Sequence, residues 1–329
     1  MSITKTTLNR RSALAMCAAA ASLLAAPAIA QGRRRITVVT GGTGGVFYPY
    51  GGGLAKLFAE KMTNTQATSQ VTGGSVDNVK LLHTGDAELG FSTMDSAYDG
   101  MMGEGAYKAD GKQDIRVIGM LYDSFLHVVA SQSSNVTTIA QMRGKRISVG
   151  SAGSSTESIA DRVIAAGGLN EMRDITRDNL GVAESAGALK DGKIAAFFWI
   201  GGIPTAAVRE LATGGQPPIR FIPTTAEFAV LDAKWPGLYR PFNLAAGSYA
   251  NQTEALGGLG VANVLIVPTK LPNAMVTLML ETIFNNLTEV QGIHPEARKL
   301  SLQAAAGKSA VPFHPAAEAF YRSKGISMT

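Results

Sequence analysis

The residues best suited to chemistry lie in two stretches rich in glycine and hydroxyl groups. The first, TGGTGGVFYPYG at residues 40–51, follows the strand-like run ITVVT and leads into a helix. Glycine amides and a helix N-terminus at close range favour an anionic group. A nucleotide fits poorly. From Gly42 the sixth position of a dinucleotide fingerprint is Phe47, and Val71-Thr72-Gly73 stands where an acidic ribose ligand would end the next strand. No Gly-Lys-Ser/Thr follows either, so a phosphate-binding P-loop fits as poorly. The competing reading is a flexible strand-to-helix connection, although so many glycines weaken both elements without packing return.

The second stretch, VGSAGSSTE at 149–157, again joins a strand to a helix. It adds the hydroxyls of Ser151, Ser154, Ser155 and Thr156, small donors that suit a carboxylate. Ser154 or Ser155 could equally be a helix N-cap. A third stretch, FFWIGGIP at 197–204, puts Trp199 near the end of an apolar strand, as a core residue or as a cleft wall against a ligand's carbon chain. Tyr48, before Pro49, is its counterpart in the first loop. Asp95, in FSTMDSAYD, is placed to accept an amine or to cap the helix that follows. No catalytic group stands out: there is no G-x-S-x-G elbow, and His83, His127, His294 and His314 show no metal-ligand spacing.

Positioning these loops requires alternating strands and helices. The β-branched and apolar runs predict strands at 35–40, 68–71, 87–92, 115–121, 126–131, 146–150, 195–199, 219–222 and 261–267. Helices are predicted over 48–62, 76–82, 155–166, 183–191, 205–212 and 274–287, with short helices and a tail after Gly292. The rhythm of strand, Gly/Ser turn and helix occurs in two blocks, which predicts an α/β protein of two lobes with ligand-binding turns at strand C-termini.

The 329 residues, 46% hydrophobic and 17% charged, supply enough apolar material for two medium lobes. Lys5, Arg10 and Arg11, the apolar run 12–24 and Ala28-Ile29-Ala30 form a secretory signal with cleavage predicted after Ala30. Export by the Sec or the twin-arginine route stays open. Cys17, the single cysteine, leaves with that segment, so the mature chain is expected to lack disulfides and cysteine-based metal sites. The segment holds three of the 30 Lys and Arg and none of the 25 Asp and Glu, leaving a mature net charge near +2. So small an excess argues against nucleic acid as a partner.

Together these stretches resemble the TAXI family of TRAP-transporter solute-binding proteins, over Ile36 to Val267. The likeness rests on ITVVTGGTGGVFYPYGGGLAKLF, VTGGSVDNVKLLHTGDAELGF, VGSAGSSTE, DGKIAAFFWIGGIP and AAGSY, in that order. The resemblance implies a type II periplasmic-binding-protein fold, two α/β lobes with a ligand cleft and a hinge between them. The expected division is residues 31–122 with 253–329 as lobe I and 123–252 as lobe II, hinged near Tyr122–Leu126 and Gly247. It implies a periplasmic, monomeric receptor, not an enzyme and without cofactor, metal or catalytic residues. Its implied ligand is a small carboxylate such as glutamate, glutamine or 2-oxoglutarate, and its partners are the integral membrane TRAP permease subunits. A receptor for an ABC importer of the same fold is the alternative, followed by an enzyme acting on a small metabolite.

Carried onto this chain, the family's ligand loops fall on Thr43, Gly44, Gly45, Val46, Phe47 and Tyr48. They continue on Ser75 and Asp95, on Ser151, Gly153, Ser154, Ser155 and Thr156, and on Trp199, Gly201 and Gly202. Amides of Gly44–Phe47 and Gly153–Ser155 are then expected to hold anionic oxygens, helped by the hydroxyls of Thr43, Ser154 and Thr156. Removing the last two hydroxyls is expected to weaken binding and leave the ligand-free melting temperature nearly unchanged. Two departures from the family pattern, Ala195 in DGKIAAFF and the missing proline of AAGSY, argue against copying a relative's ligand.

Overall fold

Ten strands of the described residues join in a single mixed sheet in the order 65–70, 34–39, 89–93, 256–268, 115–131, 196–201, 146–148 and 176–178, with 219–221 added to 115–131 and 240–244 to 256–268. The computed structural model describes residues 33–328; the predicted signal segment, its cleavage site and Cys17 lie outside the described residues. The chain begins β1 (Arg34–Val39), α1 (Phe47–Lys61), β2 (Thr65–Gln70), α2 (Ser75–Thr84), β3 (Leu89–Thr93) and α3 (Met94–Met102). A long strand β4 (Ile115–Ser131) leads to β5 (Arg146–Ser148), α4 (Ser155–Ala166), β6 (Thr176–Asp178), α5 (Val182–Lys190) and β7 (Ala196–Gly201). Then come α6 (Ala206–Gly214), β8 (Ile219–Phe221), α7 (Thr225–Lys234), β9 (Arg240–Leu244) and the second long strand β10 (Leu256–Pro268). Helices α8 (Asn273–Asn285), α9 (Leu287–Ile293), α10 (Leu302–Ala305) and α11 (Pro315–Ser323) complete the chain.

Two parallel groups result, β1 with β3 and β5 with β6 and β7, bridged by the antiparallel pair β4–β10. β10 pairs with β9 over residues 256–260 and with β3 over 263–266, so it contacts the first group. β4 contacts the second group, pairing with β7 over 125–130. Such long strands, apolar on both faces, are what helices on either side of a sheet require. One core cluster packs Ile36, Leu54, Phe58 and Phe91 against Val276, Leu280 and Phe320 of the C-terminal helices. Another gathers Ile147, Ile159, Val163 and Phe198, and a third Phe125, Phe197, Val208 and Leu211.

The two strands expected at 115–121 and 126–131 are instead one continuous strand, 17 residues long. The segment Tyr122-Asp123-Ser124 between them is accommodated by a β-bulge. Ala262 pairs with Asp123 and Val264 with Met120, so Leu121 and Tyr122 both stand opposite Asn263. Asn263 Nδ2 repairs the interrupted ladder, donating to Tyr122 O at 2.9 Å and Ser124 Oγ at 2.8 Å. Elements β6, α7 and β9 were outside the sequence expectation, and of α3 only a helix at Asp95 was expected; β6 is three residues long and β9 carries Pro241, so neither has a strong alternating pattern. Among the described residues no helix is long and apolar enough to cross a membrane.

Candidate functional site

Parallel strands that each feed a helix put their C-terminal ends, and the helix N-termini that follow, on one side of the sheet. Here five helices deliver their N-caps to one cavity of about 180 Å³. Val46 of α1, Gly74 of α2, Thr93 of α3, Ser154 of α4 and Gly181 of α5 all line it. Each N-terminus carries orphan amide donors and the positive end of a helix dipole. The lining contains no lysine, arginine or histidine, and Glu184 is its sole charged residue. Positive potential in this cavity therefore comes from the backbone.

Of the residues singled out from sequence, Thr43, Gly44, Gly45, Val46, Phe47, Ser75, Ser151, Ser154, Ser155, Thr156, Trp199 and Gly201 line the cavity. The remaining four do not. Tyr48 is 40% exposed on the first turn of α1, turned away from the lining. Gly202 uses its carbonyl to accept from Thr205 Oγ1 at 2.8 Å. Asp95 is buried behind the cavity, where Tyr239 Oη donates to Oδ2 at 3.0 Å and Arg162 lies 3.8 Å away. A neighbouring cation outcompetes the cavity for its carboxylate.

Gly153 ties its loop to the start of α2 rather than facing ligand. Its carbonyl accepts from Val76 N and Asp77 N, each at 3.1 Å, and its own amide donates to Glu157 Oε2 at 3.2 Å. With φ at +75° and Asp77 Oδ1 only 2.2 Å from where a Cβ would sit, glycine is required there. Gly45 N and Ser154 N are likewise committed, to Gly42 O and Ser151 O. Of the amides expected to meet an anion, Gly44, Val46, Phe47 and Ser155 are left.

The hydroxyls divide in the same way. Ser154 Oγ accepts from Glu157 N at 3.2 Å and donates to Ser151 O at 2.6 Å, the N-cap arrangement. Thr156 Oγ1 accepts from Ile200 N at 3.3 Å. Ser75 Oγ donates to Ser155 Oγ at 3.2 Å and accepts from Thr93 N at 3.1 Å. The unchanged melting temperature expected for the Ser154/Thr156 double variant thus gives way to a stability loss, because a cap alone contributes about 1 kcal/mol.

Trp199 closes one side of the cavity. A Cβ on Gly45 would lie 3.0 Å from Trp199 Cη2, so the indole rests on the first glycine loop. Its Nε1 donates to Thr205 Oγ1 at 2.9 Å, and Thr205 N donates to Tyr249 Oη at 2.9 Å. Tyr249 Oη in turn lies 2.8 Å from His127 Nε2, and His127 Nδ1 lies 3.3 Å from Trp199 O. A neutral ring protonated at Nδ1 satisfies both contacts: the tyrosine hydroxyl donates to Nε2 and Nδ1 donates to the carbonyl.

Burial holds His127 neutral, lowering its pKa from 6.5 to about 4. The unfolded chain therefore takes up this proton first. Its contribution is complete above pH about 6.5 and is lost as pH falls toward about 4, a difference of about 3 kcal/mol. In urea titrations between those pH values, His127→Gln should lose stability less steeply than the parent; parallel slopes would remove His127 as the source.

The sequence pattern does not single out Thr93, Tyr122, Ser124, Gly181, Glu184 or Asn263, all of which line the cavity. Asn263 left a trace, as the one amide in the apolar run LGVANVLIVP. Gly181 and Glu184 left none, because the strand before them is too short to read.

A family model described as NMT1-like family matches residues 38–325. Among solved structures, a periplasmic transporter is 14% identical, with 89% of this chain and 93% of that one covered and a TM-score of 0.53. A protein from Bordetella bronchiseptica RB50 is 16% identical over 81% of this chain and 77% of its own, with a TM-score of 0.52. A binding protein component of an ABC phosphonate transporter from Pseudomonas aeruginosa is 9% identical over 80% and 79%, with a TM-score of 0.50. Likeness at these identities shows the fold, a mixed α/β periplasmic-binding-protein fold.

Proposed function

Because the chain belongs to the NMT1-like family, we propose that it is an exported solute-binding receptor. It captures a small carboxylate and delivers it to an integral membrane transporter, of the TRAP type with TAXI-like receptors. The observation that carries this reading is the meeting of five helix N-caps around a metabolite-sized cavity with no basic side chain in its lining. Charge-assisted bonds to free amides contribute roughly 1.5–3 kcal/mol each, so a few offset ordering costs and reach micromolar affinity. The lining has serines but no histidine, lysine or cysteine to activate one, which favours carriage over turnover.

Under the expected division at 122/123 and 252/253, the Gly153–Val76 bond and the Arg162–Asp99 ion pair join opposite lobes. This conformation is then the closed one, and the bulge at Tyr122 and Asn263 is where the long strands would flex. A receptor for an ABC importer is the second reading, favoured by the likeness to the phosphonate-transporter component. Its ligand would be a more highly charged oxyanion, for which the cavity offers no cation. A thermal-shift screen of the mature protein against carboxylates, phosphonates, sulfonates and neutral sugars separates these. Carboxylates alone should raise the melting temperature; a shift with sugar alone would end the anion reading.

A further inference from the structure

Two side-chain oxygens at the floor of the cavity have no partner. Thr93 of β3 and Asn263 of β10 are paired across the two strands, line the cavity and are each 1% exposed. Thr93 Oγ1 and Asn263 Oδ1 make no hydrogen bond. Both omissions are informative. Threonine at an N-cap ordinarily accepts from its helix, yet Thr93 makes no cap bond to α3. The orientation of Asn263 is set chemically, because Tyr122 O can only accept and the amide nitrogen must face it at 2.9 Å. The oxygen therefore occupies the other side of the amide. It can be satisfied by a donor and by nothing else. Buried acceptors left unmet in this way are rare and unfavourable.

We propose that Thr93 and Asn263 form a donor-reading subsite. The bound solute turns an N–H or O–H group to this floor while its carboxylate lies against the helix N-termini. Glu184, exposed at the rim and the sole charge of the lining, favours a donor that is cationic. The preferred class is thus 2-amino acids, ahead of 2-hydroxy acids and well ahead of 2-oxo acids. A 2-oxo group offers only a second acceptor to Asn263 Oδ1. This inference rests on the carboxylate-receptor reading and narrows it.

Isothermal titration of the mature protein with matched series tests it: alanine, lactate and pyruvate, then glutamate, 2-hydroxyglutarate and 2-oxoglutarate. The amino acid of at least one series should bind about tenfold or more tighter than its 2-oxo partner. Thr93→Val, which keeps shape and removes only the hydroxyl, should narrow that ratio severalfold at an unchanged melting temperature. Asn263→Ala also breaks the repair of the bulge, so the ligand series on the parent protein does not depend on it. Equal or tighter binding of the 2-oxo acids would overturn the subsite and leave the carboxylate reading standing. Binding of none of the six compounds, with no carboxylate active in the thermal-shift screen, would overturn the carboxylate reading and the subsite with it.

Discussion

Gly201→Ala should weaken ligand binding by about a hundredfold or more, equivalent to roughly 3 kcal/mol. Gly201 ends β7 beside the indole it follows by two positions. A Cβ added there would lie 2.3 Å from Trp199 Nε1, 2.6 Å from Cε2 and 2.8 Å from Cζ2, so the methyl group and the ring cannot coexist. The backbone at Gly201 pairs with Phe125 of β4 and has little room to yield. Trp199 must therefore rotate, giving up its bond to Thr205, and one side of the ring's present position is the cavity itself. Either the cavity fills with indole or its wall opens to water; both remove the geometry an anion needs. Calorimetry with whichever solute the thermal-shift screen identifies gives the affinity. Emission from Trp199, read in a Trp235→Phe background because the chain has two tryptophans, reports the ring's displacement. Unchanged affinity with altered emission would show that Trp199 is no wall of the site.

Arg162→Met should destabilise the fold by about 3–5 kcal/mol, the loss expected when one partner leaves a buried ionic cluster. Arg162 extends from α4 with a side chain 13% exposed, bonded to Asp99 Oδ2 and to Tyr239 Oη. Its guanidinium stacks 4.2 Å from the Trp235 ring centroid, and Asp95 Oδ2 completes the cluster at 3.8 Å. Methionine keeps the packing against Trp235 but abandons two carboxylates whose side chains are 0% and 3% exposed. Burial already raises the Asp99 pKa against the opposing pull of Arg162. Without the arginine it rises further, so Asp99 takes up a proton in the folded variant before it does so in the unfolded chain. The deficit should consequently shrink as pH falls, and Arg162→Met with Asp99→Asn should recover part of it at neutral pH. Urea unfolding at two pH values measures both effects; a deficit below about 1 kcal/mol would show that the cluster is screened like a surface pair.

The glycine-rich loops were legible because their chemistry is local. A strand, a run of glycines or small hydroxyls and a helical period together define a helix N-terminus, wherever the chain later carries it. That suffices to disfavour nucleotides and to point to anions, since spacing rules for phosphate loops involve only neighbours in sequence. Asp95 illustrates the limit. Its position at the start of a helix is evident from local pattern, but its partner Arg162 is 67 residues away and arrives by packing. Ser154 shows the same ambiguity at shorter range: cap and ligand donor have identical sequence signatures, and the bond to Glu157 N decides for the cap.

By itself the sequence determined the α/β class, the loops that open helices and the absence of nucleotide spacing, all properties of residues near one another along the chain. The tertiary structure alone decided that five N-termini share one cavity, that Asp95 faces a cation and that Asn263 keeps an unmet acceptor. Those facts depend on which strands become neighbours. β10, from the far end of the chain, lies between β3 and β4, and two register shifts between β4 and β10, one of them at Asn263, set which side chains face the cavity. No local pattern encodes that pairing, because it arises from strands that are buried along nearly their whole length and therefore carry little period to read.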